Sequence, residues 1–486
     1  MAQPPSSKDS PPRFPYDHVH LDGRTLEGGG QLMRNALALS ALTGRAVTVD
    51  HVRGNRKGKT GLRPSHRAAV KLLAKISGSI SDGDQVGSQS VTFCPSTPED
   101  TSCRNNETIL ISLKNVAIQP EYNINLSSPG SVFLIFQALY PYLLYVGSRA
   151  GSECIRLTIQ GGTNGTDSPS YDYATQVMGP NFARLGLPPL SMTLNKRGWS
   201  VGRIEIGSVT FYIHPLASAG TESNVENLNL FKQSVMTKAE SMVLGACFPQ
   251  INLLDHERGK INCIDVTILA PDTGFAQERT SGASTIRTFV ERQTRRALRK
   301  ALQALDPKIF ESPSDSLSDD CPEQDTRIPI QVHTSEPTST TSRLYILLVA
   351  HTSTGFRIGH DILLGKDISP KKGKKGQKSH AKGGRDKTDV ETVADLIDEC
   401  VHGFMQELAD QPVPDSNPKS ESVSKMRSCL DQHMRDQVVV FEALGKLHKN
   451  KTETGSQVQE DERYWSLHTQ TAKWVCSKML ESDHIG

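Results

Sequence analysis

The sequence predicts a mixed α/β protein, of α+β character, assembled from small units. Between residues 19 and 216, short β-branched runs alternate with stretches whose apolar residues recur at helical spacing. A second region with the same mixture of strand and helix patterns follows between 284 and 408. The chain has 486 residues, which is enough for about three domain-sized units.

Local signals define the elements of the first region. Val19 opens a short strand that leads through a glycine turn into an apolar helix, and Gly44 ends that helix. A later helix follows the turn Pro129-Gly130-Ser131 and is apolar enough to be buried. The predicted helices cover 31–43, 67–76 and 132–145, and the predicted strands cover 47–52 and 155–160.

The second region is interrupted by polar stretches. Its predicted helices cover 284–305 and 390–408, and its predicted strands cover 328–333 and 344–350. Four stretches have the composition of segments without fixed structure, because they hold too few apolar residues to build a core. They are the amino-terminal tail 1–15, the acidic stretch 311–327, the basic stretch 366–387 and the Pro/Ser-rich stretch 410–425.

Charge is unevenly distributed along the chain. The net charge is +2, but residues 366–387 hold nine Lys or Arg and two Asp, a local charge of +7 that leaves −5 for the remainder. Bulk charge therefore supports nucleic-acid binding through one segment only. Lys-rich segments also act as nuclear address signals, which predicts a nuclear protein that could also occur in the cytoplasm.

Several classes of protein are excluded by composition. The longest apolar run, 132–146, is shorter than the ~20 residues of a membrane-spanning helix. The amino terminus lacks the apolar stretch of a secretory signal, so secretion is not expected. The nine cysteines are scattered and form no C-x-x-C, which argues against a disulfide framework or a structural zinc site and favours a reducing compartment.

The segment LEGGGQLMR, residues 26–34, is the first candidate for chemistry. Three glycines allow a ligand to approach the backbone closely, and the amides at the start of the following helix would suit a phosphate. Glu27 beside them could bind a divalent cation. Arg34 lies in an otherwise apolar helix and needs a ligand or a carboxylate as partner. A tight strand-to-helix turn without a ligand is the alternative interpretation.

A basic loop, RGNRKGKTGLRPSHR at 53–67, is the second candidate. Its arginines and lysines could form a phosphate-binding surface, or simply a solvated loop. The run from Gly54 resembles a P-loop, but its two glycines are separated by three residues where that motif requires four. The sequence Gly61-Leu62-Arg63-Pro64 then replaces the helix that a P-loop requires, so this interpretation is disfavoured.

Eight motifs occur in a fixed order along the chain and together resemble the RNA 3′-terminal phosphate cyclase family. The resemblance spans nearly the whole chain apart from the tail and the three low-complexity stretches. The motifs are EGGGQxxR at 27–34, GLRPxH at 61–66, Gly130-Ser131, GGTN at 161–164, Asp172-Tyr173, Thr352-Ser353-Thr354-Gly355, Asp436-Gln437 and LHTQTA at 467–472.

The resemblance implies a fold and a reaction. The fold is a large domain of three repeated βαβ-containing units, here 16–216 plus 425–486, interrupted by a smaller α/β domain at 217–424. The implied reaction uses ATP, with Mg²⁺ or Mn²⁺, to convert an RNA 3′-phosphate end to a 2′,3′-cyclic phosphate, releasing AMP and pyrophosphate. In such enzymes AMP is carried on a histidine before it passes to the RNA phosphate.

The resemblance also implies roles for individual residues. His468 would be the nucleophile, although it is one of fifteen histidines and nothing in its spacing marks it. Glu27 would bind the metal. The residues implied to line the nucleotide and RNA-phosphate surface are Arg34, Arg53, Arg56, Arg63 and His66. The residues implied to hold the adenosine are Gln137, Asp436 and Gln437, with Pro169 packing on the base and His433 stacking on it.

Three positions depart from the family pattern. Ser65 lies where glutamine is usual before the histidine, His433 replaces the usual aromatic residue, and the segment after Arg197 lacks a triple glycine. The alternative function is that of the family's non-catalytic ribosome-biogenesis branch, which lacks the nucleophilic histidine. The intact LHTQTA and EGGGQ motifs argue against that alternative.

Overall fold

A computed structural model provides the structure of the chain. It describes residues 18–56, 58–95, 118–126, 128–201, 204–216, 247–275, 285–311, 328–365, 388–409, 428–447 and 465–480. The predicted tail, the stretches 366–387 and 410–425, and all but the first residue of 311–327 lie outside these ranges. No described helix is long and apolar enough to cross a membrane.

The chain forms two compact units. The first unit takes residues 1–118, 135–142 and 467–486, and the second takes 119–134 and 143–466. The predicted division into a large domain and an insert at 217–424 is a different partition and stays a prediction.

The first unit contains a four-stranded mixed sheet in the order β1-β2-β4-β3. The first two strands run parallel, and the other neighbours run antiparallel. The strands are β1 (His18–Asp22), β2 (Ala46–Asp50), β3 (Ile80–Asp82) and β4 (Val91–Cys94). The helices of this unit are α1 (Gly30–Thr43), α2 (Pro64–Ser77) and α9 (Leu467–Leu480), together with the middle of α3, described below.

Local chemistry sets the helix ends in the first unit. Gly44 ends α1 in the left-handed conformation, with φ of 73°, and its amide donates to Ser40 O. Pro64 occupies the first turn of α2, where its missing amide costs nothing. Every residue of α1 is buried, and α9 packs against this helix. The predicted helix over 31–43 and its stop at Gly44 are confirmed.

The second unit contains a sheet with the same order as the first, β5-β6-β8-β7. Its parallel pair is again followed by two antiparallel neighbours. The strands are β5 (Glu121–Asn125), β6 (Ile155–Gly161), β7 (Leu190–Lys196) and β8 (Gly207–Ile213). The helices are α3 (Val132–Arg149), which Ser131 caps at its amino terminus, α4 (Tyr171–Tyr173) and α5 (Gly179–Arg184), with a π-helical turn at Ala174–Met178 between the last two.

A third sheet, also in the second unit, has a different order, β10-β9-β11-β12. Its strands are β9 (Ile261–Pro271), β10 (Ile330–Thr338), β11 (Tyr345–Thr352) and β12 (Arg357–Leu363). Two amphipathic helices, α6 (Ile286–Leu302) and α7 (Asp389–Leu408), pack on it and enclose a hydrophobic core. The remaining helix of the unit is α8 (Gln432–Lys446).

The sheets bear on the predicted repeats. The described residues confirm a mixed α/β fold, and two of the three sheets share one strand order. The third sheet, with α6 and α7, lies within the range predicted for the insert. A third repeated unit does not form a sheet among the described residues, so the arrangement of three repeats stays a prediction.

Candidate active site

The glycine turn between β1 and α1 requires its glycines for two reasons. Gly28 adopts a left-handed conformation, with φ of 59°, and a Cβ there would lie 2.3 Å from Gly23 O. A Cβ on Gly30 would lie 2.7 Å from both Arg34 Nη1 and His66 Nε2. The glycines therefore let two buried polar side chains close on the start of α1.

Glu27 lies at the centre of this site. Its side chain is buried, and Oε2 lies 3.0 Å from His468 Nδ1. Oε1 pairs with Arg56 Nη2. One carboxylate thus joins the glycine turn, the basic loop and the start of α9, three segments that are far apart in the sequence.

The protonation state of Glu27 follows from these contacts. Burial by itself would raise the pKa of Glu27. The close contact with His468 and the charges of His468, Arg56 and Arg34 outweigh burial and leave the pKa of Glu27 below its ordinary value. The carboxylate is therefore ionised at neutral pH and faces the Nδ1 atom of His468.

Thr471 seats α9 on the glycine turn, and sequence reasoning did not select it. The Glu27 amide donates to Thr471 Oγ1 at 3.2 Å, and this hydroxyl donates to Leu467 O at 2.7 Å. Thr471 lies three residues after His468 in the predicted motif, so helical spacing places both on neighbouring positions of one face. That spacing is the signal that could have identified Thr471.

Arg34 and His66 form the buried floor of the turn. Arg34 is 7% exposed, and its Nη2 donates to Gln31 Oε1. His66, in the first turn of α2, is 4% exposed, and its Nδ1 has no hydrogen-bond partner among the described residues. Burial, with the charges of Arg34, Arg53 and Arg63, lowers the pKa of His66 to about 3. His66 is therefore neutral and offers one donor and one acceptor.

The remaining cations come from the segment between β2 and α2. Arg53 is half-buried and has a left-handed backbone, with φ of 61°, which a residue with a side chain seldom adopts. Arg63 is the amino-terminal cap residue of α2. Asn55 Nδ2 donates to Leu26 O at 2.9 Å and so joins this loop to the glycine turn. Asn55 thus fixes its part of this loop beside the glycine turn.

Gln137 is carried by the part of α3 that belongs to the first unit. Its side-chain Nε2 and Oε1 atoms are both buried, and neither has a hydrogen-bond partner among the described residues. Leaving a buried amide unpaired costs free energy, so this amide fits a ligand with complementary polar groups.

The other predicted nucleotide residues belong to the second unit. His433, in the first turn of α8, is exposed, and its ring centroid lies 6.4 Å from those of Tyr173 and His360. Asp436 is buried, and Gln437 Nε2 donates to Asp436 Oδ1 at 2.6 Å. Pro169 is half-buried and directly precedes Ser170, which caps α4.

Carboxylates dominate the surroundings of His433. Desolvation by the surrounding protein lowers its pKa, but Asp431, Asp361, Glu407 and Asp436 outweigh desolvation and raise the pKa of His433 above its ordinary value. These carboxylates come from separate elements of the second unit. The imidazolium form of His433 is therefore more stable here than it is for a histidine in water.

Asp431 organises this part of the second unit. It is fully buried and accepts hydrogen bonds from the Tyr173 hydroxyl at 2.6 Å, the Met434 amide at 2.8 Å and the Gly359 amide at 2.9 Å. It thereby caps α8 and holds the start of that helix against α4 and β12. Asp431 was not predicted, although an Asp just before a helical pattern is a capping signal.

The Asp172-Tyr173 motif is structural within the second unit. Asp172 is buried and pairs with Arg197 through two hydrogen bonds, Nη1 to Oδ2 at 2.7 Å and Nη2 to Oδ1 at 3.2 Å. Arg197 also pairs with Glu336 on β10 at 3.0 Å. This arginine therefore joins the second and third sheets.

Glu27 could bind a cation only if a bound ligand, such as a phosphate, supplied most of the other oxygen atoms around that cation. Among the described residues, no group of three or more His, Cys, Asp or Glu side chains could hold a metal ion. Mg²⁺ is commonly bound by one or two carboxylates together with substrate phosphates. Glu27 supplies one such carboxylate beside the helix start, its two oxygens already contact Arg56 and His468, and its role as a metal ligand stays a prediction.

Comparison with known proteins identifies the family. The chain matches the family described as RNA 3′-terminal phosphate cyclase over residues 25–484. The chain belongs to this family. Several proteins named RNA 3′-terminal phosphate cyclase are similar to it. The protein from Koribacter versatilis is 28% identical, over 49% of this chain and 58% of the relative. The protein from Methanosarcina mazei is 34% identical, over 37% of this chain and 44% of the relative. Another, from Pyrococcus furiosus, is 29% identical, over 46% of this chain and 57% of the relative.

These matches cover about half the length of the curated relatives. The predicted family is confirmed, and the predicted site residues fall into two groups. The first unit holds eight of them, Glu27, Arg34, Arg53, Arg56, Arg63, His66, Gln137 and His468, and the second unit holds Pro169, His433, Asp436 and Gln437. The roles of these residues stay predictions.

Proposed function

We propose that this chain converts an RNA 3′-phosphate end to a 2′,3′-cyclic phosphodiester with ATP, through AMP carried on His468. The observation that carries the proposal is the contact of 3.0 Å between Glu27 Oε2 and His468 Nδ1 beside the glycine turn. This contact occupies one ring nitrogen and leaves Nε2 as the nucleophile. The side chain is 43% exposed, so Nε2 is accessible to a substrate.

The proposed first step follows from this geometry. The Nε2 lone pair attacks the α-phosphorus of ATP, an N–P bond forms, and the bond to pyrophosphate breaks. The imidazole ring becomes cationic, and the Glu27 carboxylate stabilises this charge through the Nδ1 proton. The RNA 3′-phosphate then takes AMP from Nε2, and the neighbouring 2′-hydroxyl displaces AMP to close the cyclic phosphate.

Cations of the first unit suit the charge of the transferring group. Arg34 and Arg56 supply guanidinium groups near the amides at the start of α1, where phosphates are stabilised. Mg²⁺ or Mn²⁺ bound by Glu27 would add charge neutralisation on the phosphates. His66, which stays neutral, would donate a hydrogen bond to a phosphate oxygen or accept one from a ribose hydroxyl.

Adenosine recognition is assigned to the remaining predicted residues. The unpaired amide of Gln137 offers both a donor and an acceptor. In the second unit, the exposed ring of His433 offers a flat surface for the base, and Asp436 with Gln437 offers hydrogen-bonding groups. Pro169 would pack on the base.

The alternative of a non-catalytic ribosome-biogenesis factor is not favoured. The similar curated proteins are named as cyclases. His468 is present and oriented by a carboxylate, which a non-catalytic protein does not require. The proposed partner is RNA with a 3′-phosphate end, and the proposed location remains the nucleus, with the cytoplasm as an additional location.

The test is label transfer from ATP labelled in the α-phosphate. Wild-type protein should become labelled, and addition of RNA with a 3′-phosphate should discharge the label and produce cyclic ends. His468→Ala should abolish labelling and cyclisation while the protein stays folded. His402→Ala, which removes an exposed histidine elsewhere, is the matched control and should label normally.

Peptide mapping separates the proposed histidine from competing lysines. A phosphoramidate on histidine should map to the peptide that contains His468. Label on Lys57 or Lys59 of the basic loop, or label that persists in His468→Ala, would overturn the assignment.

A further inference from the structure

Helix α6 of the third sheet has a strongly basic outer face. Its buried positions recur every four residues and face the sheet: Ile286, Val290, Thr294, Leu298 and Leu302. The opposite side carries Arg292, Arg296 and Lys300, all exposed, flanked by the half-buried Arg295 and Arg299. These five side chains are here termed the basic face of α6. The three exposed cations span about 12 Å, because a helix rises 1.5 Å per residue.

The charges of this face are not compensated within the described residues. None of the five forms an ion pair there, whereas Arg287 at the start of the helix pairs with Asp272 at 2.8 Å. The Nε atoms of Arg295 and Arg299 are buried without a hydrogen-bond partner among the described residues. Helix α7, which packs against α6, holds six Asp or Glu and no Lys or Arg, yet makes no described ion pair with this face.

Such an arrangement is unfavourable without a partner. Like charges four residues apart on a helix repel each other, and this face contains three such pairs, 292/296, 295/299 and 296/300. Surfaces that serve only solubility usually intersperse both signs of charge. A polyanion relieves the repulsion, and arginines bind phosphate oxygens in a bidentate manner.

We propose that the basic face of α6 binds the phosphate backbone of the RNA body, away from the 3′ end that reacts. The choice of RNA over another polyanion rests on the proposed function. A nucleic-acid strand advances about 3.4 Å per phosphate, so 12 Å of helix faces several consecutive phosphates. Binding through the backbone is independent of sequence and increases affinity for long RNA over short RNA.

The test compares two charge-matched triple variants of the full chain. Arg292→Gln/Arg296→Gln/Lys300→Gln removes the exposed part of the basic face and retains residues of good helix propensity. Lys75→Gln/Lys260→Gln/Lys446→Gln removes the same charge from exposed positions elsewhere. Affinity is measured by fluorescence anisotropy with 3′-phosphate RNAs of about 30 and about five nucleotides over a range of salt concentrations.

The first variant should bind the long RNA about tenfold more weakly at moderate salt, and the slope of log affinity against log salt should fall by about 2, about 0.7 for each lost contact. The control variant should match wild type, and cyclisation of the short RNA should be unchanged in both. An unchanged salt slope in the first variant, or an equal loss of affinity in the control variant, overturns the proposal. Binding of a polyglutamate peptide to the basic face does not rescue the proposal in either case.

The same measurements distinguish this proposal from the proposed function. Binding of the long RNA is measured without ATP and does not depend on catalysis. If wild-type protein is not labelled by ATP but the first variant alone loses RNA affinity, the proposed function is overturned and the proposal that the basic face binds RNA is supported. If wild-type protein cyclises RNA and the first variant binds normally, only the proposal about the basic face is overturned.

Discussion

His66 in the first unit and His433 in the second have opposite electrostatic surroundings. Burial and three arginines lower the pKa of His66 to about 3. Carboxylates outweigh desolvation around His433 and raise its pKa. The same side chain is therefore held neutral in one region, and its cationic form is stabilised in the other.

The contrast shows what each region can bind. The first unit places the cations Arg34 and Arg56 around the ionised carboxylate of Glu27, an arrangement that suits phosphates. A charged His66 would add repulsion to this group, so a neutral ring contributes hydrogen bonds without further positive charge. The second unit surrounds His433 with carboxylates and presents one exposed ring, which suits a base and not a phosphate.

The largest expected effect is that of Glu27→Gln, which removes the only carboxylate that contacts His468 among the described residues. We expect the rate of adenylylation to fall about 100-fold, because the imidazole loses the partner that orients it and stabilises its charge. The metal concentration for half-maximal rate should also rise. Both quantities are measured by label transfer from ATP over a series of Mg²⁺ and Mn²⁺ concentrations.

Asp82→Asn is the control for Glu27→Gln, since it removes an exposed carboxylate from the same unit without contact with His468. It should leave rate and metal requirement unchanged. A Glu27→Gln variant with the normal metal requirement but a shifted pH optimum would show that Glu27 acts as an acid or base and does not bind the metal.

Features set by neighbouring residues could be predicted from the sequence. The apolar spacing of α1 and its stop at Gly44 are local, and the structure reproduces both within one residue. The glycine turn was predicted as a candidate phosphate site, with a tight strand-to-helix turn without a ligand as the alternative. The turn cannot by itself indicate which distant side chain lies beside it.

Contacts between distant segments could not be predicted from local patterns. Glu27 and Thr471, which share a hydrogen bond, are 444 residues apart. Only the resemblance to a family placed His468 and Glu27 in one site. The carboxylates around His433 come from α7, from α8 and its N-cap residue, and from β12. Their joint effect on the pKa of His433 therefore emerges only from the packing of these elements.

The next effect concerns stability and tests the environment of His66. The folded pKa is about 3 and the ordinary value is 6.5, so the unfolded chain binds a proton that the folded chain does not. The stability gained from a neutral His66 is complete above pH 6.5 and is lost as pH falls toward 3. At pH 5, about 1.5 pH units below the ordinary pKa, the free energy of unfolding is lower by about 2 kcal/mol.

His66→Gln should therefore be less destabilising, relative to wild type, at pH 5 than at pH 8, by about 2 kcal/mol in the free energy of unfolding. Urea denaturation at the two pH values measures this difference. His20→Gln, which removes an exposed histidine from the same unit, controls for the loss of a surface ring. A difference that is independent of pH would mean that His66 is not held neutral.

The smallest expected effect has the opposite sign and belongs to His433. Because its folded pKa is raised, the stability it contributes is complete below pH 6.5 and is lost as pH rises through the folded pKa. Its ring is exposed, so solvent screens the carboxylates and the effect should stay below about 1 kcal/mol. His433→Gln should thus be more destabilising at pH 5 than at pH 8, and His402→Gln on α7, another exposed position, provides the matched control. Equal or inverted pH dependence would mean that the carboxylates do not act on His433, and the contrast between the two regions would then rest on His66 alone.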